Sequence, residues 1–159
     1  MLTPEQRREM IEAIRRFPAE LEAAVGGLSE AQFRTRFIPY EWTVLQNIHH
    51  LADSHMNAFI RTKLLLTEDR PTLKPYNQET WAETLDALEL PPEASLAILR
   101  GLHRRWSDLL DSLDDSDWAR VGLHPEVGEM SVEDILQTYS RHGAGHIEQI
   151  QKTLAAATA

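Results

Sequence analysis

Helix-capping signatures recur along this chain, and each is followed by apolar residues at helical spacing. They are TPEQ at Thr3, SEAQ at Ser29, TVLQ at Thr43 and SVED at Ser131. In such a signature a hydroxyl side chain accepts a hydrogen bond from the backbone N–H three residues later, where a polar side chain bonds back. Because each signature marks a helix start, their repetition predicts a mostly helical fold.

The spacing of apolar residues predicts four long helices and one short one. The long helices are predicted over about 4–24, 43–66, 131–155 and a segment that begins after Pro91-Pro92, and the short one over 77–89. Strand-like alternation is not visible, and GLHPEVGEMS before the last helix is typical of turns. This pattern predicts an all-α four-helix bundle with short additional helices, in a single domain over 1–159.

The composition excludes several classes of protein. A net charge of −9 argues against a surface for nucleic acid or anionic membranes, which needs clustered lysine and arginine. Without cysteine, the chain has no thiol nucleophile of its own, so thiol chemistry would need an external thiol. No apolar run is long enough for a membrane span, and the polar N-terminus has no signal-peptide core. We therefore expect a cytoplasmic protein without nucleic-acid or membrane partners.

Two histidines four residues apart in RHGAGHI form the most chemically specific pattern. His142 and His146 project from the same face of the last predicted helix, at the edge of its apolar side. Such a pair can clamp a metal ion, although two separately hydrogen-bonded histidines would give the same spacing. Gly143 lies near the centre of the packed face, and a glycine costs a helix about 1 kcal/mol relative to alanine. We expect this glycine to give clearance to another helix or to a ligand.

The second predicted long helix carries a polar face with an unusual composition, which includes His50, Asp53, Asn57 and Arg61. His50 could bind a metal, and Asp53 could orient a ligand or act as a general base. Asn57 and Arg61 could hold a polar or anionic substrate. Helical periodicity alone does not decide between His49 and His50 as the ligand.

Three further histidines have less specific positions. His55 falls on the apolar stripe of its helix, where a hydrogen-bonded core histidine is expected. We expect His103, in HRRW, to pack against Trp106 or to be exposed. His124, in the loop LHPEVG, could fold over one end of the bundle. The sequence assigns none of the three as a metal ligand.

Several segments together resemble the YfiT/BstA branch of the DinB-like four-helix metalloproteins. They are WTVLQNIHHLADSHMNAFIRTKLLLTED, KPYNQETWAE, LHRRW, HPE and RHGAGHI, in the matching order over nearly the whole chain. The resemblance implies one divalent metal per chain, zinc or nickel, held by three histidines with water in the open positions. It places the ligands on His50, His142 and His146, and so selects His50 over His49.

The resemblance also implies an activity. Members of this branch are described as bacillithiol transferases or as metal-dependent hydrolases, and related proteins use mycothiol or glutathione. We therefore expect a thiol S-transferase in which the metal activates a small thiol for attack on an electrophilic small molecule, with Asn57 and Arg61 holding the thiol. The alternatives are a hydrolase with metal-activated water and Asp53 as proton acceptor, and a non-enzymatic metal-binding stress protein. The resemblance also suggests a homodimer.

Overall fold

Helices dominate the protein, whose computed structural model describes residues 1–157. The long helices are α1 (Pro4–Val25), α3 (Val44–Thr67), α6 (Glu93–Asp111) and α8 (Val132–Ala156), and the short ones are α2 (Glu30–Arg34), α4 (Gln78–Trp81), α5 (Leu85–Glu89) and α7 (Asp115–Trp118). A two-stranded hairpin, β1 (Val121–His124) and β2 (Gly128–Ser131), precedes α8. The predicted helical bundle with short additional helices is confirmed, with this small sheet added to it.

The predicted capping signatures set the helix starts. Thr3, Ser29, Thr43 and Ser131 each accept a hydrogen bond from the third helical residue, whose side chain bonds back to the cap. A fifth box at Asp114, which was not predicted, begins α7. The short helix predicted over 77–89 is two helices, α4 and α5, because the chain turns between them.

The four long helices surround a common core. Helices α1 and α3 each pack against both α6 and α8. One apolar cluster contains Trp106 together with Ile14 and Leu136, and a second contains Phe17 and Ile48. Burial of such clusters is the main favourable term in folding. The ring of His55 is 5.2 Å from that of Phe17 and 6.3 Å from that of Trp106, so it lies where these two clusters meet.

The hairpin before α8 corrects the prediction of a purely turn-like segment. Val121 pairs with Ser131 and His124 with Gly128, in antiparallel register. The backbone of Leu123 also exchanges hydrogen bonds with the Pro71–Leu73 segment, at 2.9 Å each. Four-residue strands are too short to show a clear alternation, and this pairing joins segments that are distant in the chain. Sequence periodicity therefore could not show the hairpin.

A buried ion pair joins the first and last long helices. The Arg7 guanidinium donates through Nε and Nη2 to Oε1 of Glu133, at 3.0 and 2.9 Å, and both residues are 7% exposed. Its Nη1 donates to Asp115 at 3.0 Å, and the guanidinium lies over the ring of Trp118. Burial of a charged side chain destabilises the folded protein unless a group of opposite charge lies in contact with it, as it does here.

In the described part of the chain, every helix is too short or too polar to traverse a lipid bilayer.

Candidate metal centre

Three histidine rings converge between α3 and α8. His50 comes from α3, while His142 and His146 lie one turn apart on α8, so that their side chains point the same way. One ring nitrogen from each histidine lies within 4.8 Å of the others. Within the described residues these three form a cluster that could hold a metal ion. The structure thus brings together the three residues on which the family resemblance placed the ligands.

Burial keeps these rings neutral at neutral pH. Burial, reinforced by the neighbouring His146 and His142, lowers the pKa of His50 to about 3. Burial and His146 lower the pKa of His142 to about 4, and burial lowers the pKa of His146 as well. A neutral imidazole has a free lone pair, which a metal ligand requires. The environment therefore favours metal ligation over protonation.

An amide on α3 orients the ring of His146. Nδ1 of His146 lies 2.8 Å from Oδ1 of Asn47, whose Nδ2 donates to the carbonyl oxygen of Thr43 at 3.0 Å. Because the amide oxygen only accepts, Nδ1 of His146 carries the proton and Nε2 is left with the lone pair. Such an outer hydrogen bond is the usual way in which a protein fixes the tautomer of a metal-binding histidine.

A second chain of contacts begins at His142. Its Nδ1 lies 3.0 Å from Nε2 of His55, and Nδ1 of His55 lies 2.7 Å from Nε2 of His103. Nδ1 of His103 lies 2.6 Å from the carbonyl oxygen of Ile14. His55 and His103 are 0% and 1% exposed, and the His103 ring is 6.0 Å from that of Trp106. The prediction of a core position for His55 is confirmed, and His103 takes the packed alternative.

Burial also governs the charge of these two inner histidines. It lowers the pKa of His103 to about 4, although the hydrogen bond to the Ile14 carbonyl opposes this shift. The pKa of His55 lies well below its ordinary value, first because of burial and then because of the neighbouring histidines. Both rings are therefore neutral at physiological pH.

A first cavity of about 470 Å³ opens beside the triad. His142 and His146 form part of its wall, together with Trp42, whose ring centroid is 4.7 Å from that of His50. Tyr40 stands at the same cavity and is 98% exposed. An aromatic wall of this kind suits the apolar part of a small molecule.

A second cavity of about 370 Å³ also reaches His142. It is lined by Arg61, Tyr139 and His124, and it shares His142 and Gln78 with the first cavity. Nη2 of Arg61 donates to the carbonyl oxygen of Lys74 at 2.7 Å, whereas its buried Nε has no hydrogen-bond partner among the described residues. The predicted substrate contact Arg61 thus lies in a cavity next to the triad.

The other predicted residues of α3 lie elsewhere. Among the described residues, neither Asp53 nor Asn57 lines either cavity. The Asn57 amide donates to the Asp53 carbonyl oxygen at 2.9 Å. Burial and the charge of Asp86 raise the pKa of Asp53 to about 6. The general-base role of Asp53 and the substrate role of Asn57 therefore stay predictions.

His49 is a structural residue whose partners lie outside the triad. Its Nδ1 lies 2.8 Å from Oγ of Ser95, and its Nε2 lies 3.0 Å from the carbonyl oxygen of Leu90. Both ring nitrogens are engaged away from the triad, which supports the choice of its neighbour His50.

The site also contains four residues that the sequence did not predict. Trp42, Asn47, Gln78 and Tyr139 contact the triad or line its cavities. Asn47 precedes a predicted ligand by one helical turn, and so does Tyr139, so the same spacing rule could have found both. Gln78 is the first residue of α4, far along the chain from His142, so no spacing within one helix could place it at the site.

Three neutral histidines from two long helices of the bundle converge beside open cavities. The protein therefore falls in the class of helical-bundle proteins with a candidate three-histidine metal site. The chain belongs to the DinB superfamily, whose family model matches residues 13–150.

Related proteins agree with this assignment. A Geobacillus kaustophilus protein named as a candidate metal-dependent hydrolase is 46% identical over 145 residues, which cover 90% of this chain and 81% of that protein. YfiT of Bacillus subtilis, named likewise, is 40% identical over 150 residues, covering 94% of this chain and 84% of YfiT. The solved structure of Bacillus subtilis YfiT, described as a four-helix bundle of unusual topology, matches with a TM-score of 0.92 at 38% identity. That match covers 96% of this chain and 88% of the YfiT chain, so the predicted family is confirmed.

Proposed function

We propose that the protein is a metal-dependent enzyme that transfers a small thiol to an electrophilic small molecule. The observation that carries this proposal is the position of His142, whose side chain borders both cavities beside the triad. Two separate substrates need two places next to one reactive centre, whereas hydrolysis needs room for one substrate and a water. Cavities of about 470 and 370 Å³ have the size of small-molecule sites.

The triad fits a divalent metal. Imidazole nitrogens are common ligands of zinc, nickel and related ions. Three histidines with an open position are typical of catalytic zinc sites, because structural zinc sites are closed by a fourth protein ligand. A divalent metal bound by His50, His142 and His146 would lower the pKa of a coordinated thiol or water. We therefore propose one zinc or nickel ion per chain.

The second cavity supplies polar contacts for one substrate. Arg61 lines this cavity, and a guanidinium suits the carboxylate groups that low-molecular-weight thiols carry. The hydroxyl of Tyr139, 3.2 Å from Oγ of Ser54, adds a polar group at the same wall. The thiol would therefore bind here, with its sulfur towards His142.

The first cavity suits the electrophile. Trp42 gives it an aromatic wall next to His50 and His146. In the reaction a sulfur–carbon bond forms, the bond to the leaving group breaks, and the proton of the thiol passes to solvent. The protein residues orient the two molecules so that the sulfur and the electrophilic carbon meet beside His142.

A metal-dependent hydrolase is the second candidate function. The relatives named above as candidate metal-dependent hydrolases favour it. The same three histidines would serve, and Asp53, with its pKa raised to about 6, would be the candidate proton acceptor. The position of Asp53 outside both cavity walls makes this reading weaker than the transferase.

Product formation from two classes of substrate separates the candidates. The protein, purified without a metal-affinity column and loaded with zinc or nickel, is incubated with monochlorobimane and, in turn, bacillithiol, mycothiol and glutathione. A parallel series uses nitrophenyl esters and anilides without thiol. We expect thiol-dependent bimane fluorescence that His142→Ala abolishes. Ester or amide turnover without thiol conjugation would instead support the hydrolase, and tight metal retention without any turnover would support a non-enzymatic role.

A further inference from the structure

The four long helices each contribute one group to the hydrogen-bonded chain that starts at the metal centre. His142 belongs to α8, His55 to α3, His103 to α6, and the carbonyl oxygen of Ile14 to α1. We propose that this chain is a one-way tautomer lock, in which the positioning residues His55 and His103 hold His142 with its proton on Nδ1 and its lone pair on Nε2. The proposal rests on the metal site of the proposed function and is independent of the reaction.

The direction of the chain is set at its inner end. A carbonyl oxygen only accepts hydrogen bonds, so Nδ1 of His103, 2.6 Å from the Ile14 oxygen, must carry a proton. A neutral imidazole has one N–H, which leaves Nε2 of His103 as an acceptor. Nδ1 of His55, 2.7 Å away, is then the donor.

The rule that a neutral imidazole has one donor and one acceptor nitrogen also sets the direction of the hydrogen bond next to the metal centre. Since Nδ1 of His55 carries its proton, its Nε2 has the lone pair and accepts from Nδ1 of His142, at 3.0 Å. The one remaining nitrogen of His142, Nε2, is unprotonated and free to bind a metal. If any ring reversed its tautomer, two donors or two acceptors would face each other across a buried contact, which is costly.

The surroundings of the chain favour the neutral form of its middle ring, His55. His55 is 0% exposed, and its ring contacts outside the chain are Phe17, Trp106 and Tyr139. None of these contacts carries a negative charge that could stabilise an imidazolium. The inner end is also closed, because the Ile14 carbonyl cannot pass a proton further. The chain therefore orients His142 and does not conduct protons.

The lock has a parallel at the second ligand of α8. Nδ1 of His146 donates to Asn47, whose orientation is fixed by its own bond to the Thr43 carbonyl oxygen. The hydrogen bonds from both rings thus lead to a backbone carbonyl oxygen. His146 is linked to it through one side chain, and His142 is linked to it through two. Because each chain of hydrogen bonds ends at an acceptor, both rings have the same tautomer, and both Nε2 atoms are available to one ion.

Variants at position 103 test the lock. In His103→Gln the amide can donate to the Ile14 oxygen and accept from His55, so the direction is kept. In His103→Leu the acceptor is lost, and His55 can turn its proton towards His142. We expect His103→Leu to weaken zinc binding by roughly 10–100-fold, and we expect His103→Gln to restore most of the affinity. His49→Leu is the matched control, because it also removes a buried, doubly hydrogen-bonded histidine but leaves the chain intact.

Two measurements decide the outcome. Zinc affinity is measured by competition with a chelator, and the ring tautomers of the metal-free proteins are read from ¹⁵N NMR shifts. We expect His142 to be the Nδ1–H tautomer in the parent, in His103→Gln and in His49→Leu, and a mixture in His103→Leu. Unchanged zinc affinity and an unchanged His142 tautomer in a folded His103→Leu protein would overturn the proposal.

The parent spectrum keeps the test decisive if His103→Leu does not fold. A parent protein whose metal-free His142 is protonated on Nε2 would overturn the lock by itself. A parent that binds no zinc or nickel, yet has His142 as the Nδ1–H tautomer, would refute the metal site of the proposed function and leave the lock standing.

Discussion

The ring of Phe17 occupies the space that a side chain at position 143 would need. A Cβ atom built on Gly143 would lie 2.3 Å from both Cδ2 and Cε2 of Phe17, far inside van der Waals contact. The Phe17 ring in turn packs against His55 and His103, with 5.2 Å between ring centroids in each case. The glycine that interrupts the histidine pair thus lets α1 approach the buried histidine chain.

Replacement of Gly143 should therefore destabilise the protein, although alanine is the better helix former. We expect Gly143→Ala to lower the free energy of unfolding by roughly 1–3 kcal/mol through overpacking, and Gly143→Leu to lower it further. Gly145, with open space where its Cβ would lie, is the control, and Gly145→Ala should stabilise by about 0.4–1 kcal/mol. Urea denaturation measures both. A Gly143→Ala protein as stable as Gly145→Ala would contradict the clearance role.

Metal content tests the triad. We expect about one zinc or nickel ion per chain, because His50, His142 and His146 converge within 4.8 Å. Alanine at any of the three histidines should lower the affinity for the metal strongly. His49→Ala should leave that affinity intact, since His49 forms hydrogen bonds with Ser95 and Leu90 instead. Elemental analysis without a metal-affinity column gives the stoichiometry. If His49→Ala removes the metal and His50→Ala does not, the assignment of the α3 ligand is wrong.

The buried histidines predict how the stability of the metal-free protein depends on pH. Burial lowers the pKa of His50 to about 3 and that of His142 and His103 to about 4, below the ordinary 6.5. Between these values the unfolded chain binds protons that the folded chain does not. The free energy of unfolding should therefore fall as the pH drops from 6.5 towards 4, although the raised pKa of Asp53 offsets part of this loss below about pH 6. These groups should have little effect above pH 7.

A single substitution checks the origin of that pH dependence. Each such histidine contributes up to about 1.4 kcal/mol per pH unit in the window. His50→Gln, which cannot titrate, should reduce the slope by about that amount. Denaturant titrations at pH 4.5, 5.5, 6.5 and 7.5 measure it. Equal stability at pH 4.5 and 7.5 would show that the rings are protonated in the folded state.

The Arg7–Glu133 pair predicts a large effect on stability far from the site. Arg7→Met leaves the buried Glu133 with only the exposed N-terminal ammonium of Met1, 3.8 Å from its Oε2, so we expect a loss of up to about 3–5 kcal/mol. Adding Glu133→Leu should recover much of that loss. Arg16→Met is the control, because Arg16 pairs with Glu20 at the exposed surface and should change stability by less than about 1 kcal/mol. Similar losses for Arg7→Met and Arg16→Met would show that the buried pair has no special weight.

Arg61 predicts a change in substrate binding without a change in metal content. Loss of a hydrogen bond to a charged group costs about 1.5–3 kcal/mol, which corresponds to roughly a 10–100-fold higher KM for the thiol. We therefore expect Arg61→Gln to raise this KM while zinc stoichiometry stays the same. Asp53→Asn is compared with Arg61→Gln, since the proposed transfer needs no base from the Asp53 carboxylate. An unchanged thiol KM in Arg61→Gln would contradict the role of Arg61, and a transfer rate that falls in Asp53→Asn would show that the transfer does need that carboxylate.

Local signals account for what the sequence predicted well. Capping boxes and the helical spacing of apolar residues lie within a few residues of each other, so the helix starts could be read from the chain. The pair His142 and His146 was predicted for the same reason. His50 was harder, because helical periodicity alone does not decide between it and its neighbour His49, and only the family resemblance chose between them.

Contacts between distant segments account for what the sequence did not show. Whether His55 faces His103 depends on how α3 and α6 pack, and no spacing within one helix reports it. The hairpin likewise depends on pairing with the Pro71–Leu73 segment, 50 residues away from Leu123. Such relationships follow from the tertiary arrangement and become visible only in the structure.

The placement of the ligands on α3 and α8 also has a consequence for biosynthesis. Asn47 and the His146 ring that it orients are 99 residues apart in the chain, so the ribosome makes one half of the centre long before the other. A growing chain that stops before α8 holds His50 without its partners. Since α1 and α3 both pack on α8, that chain also exposes their apolar faces. A metal ion can therefore bind the three histidines only after α8 has packed on the bundle, and it cannot help α1 and α3 to come together.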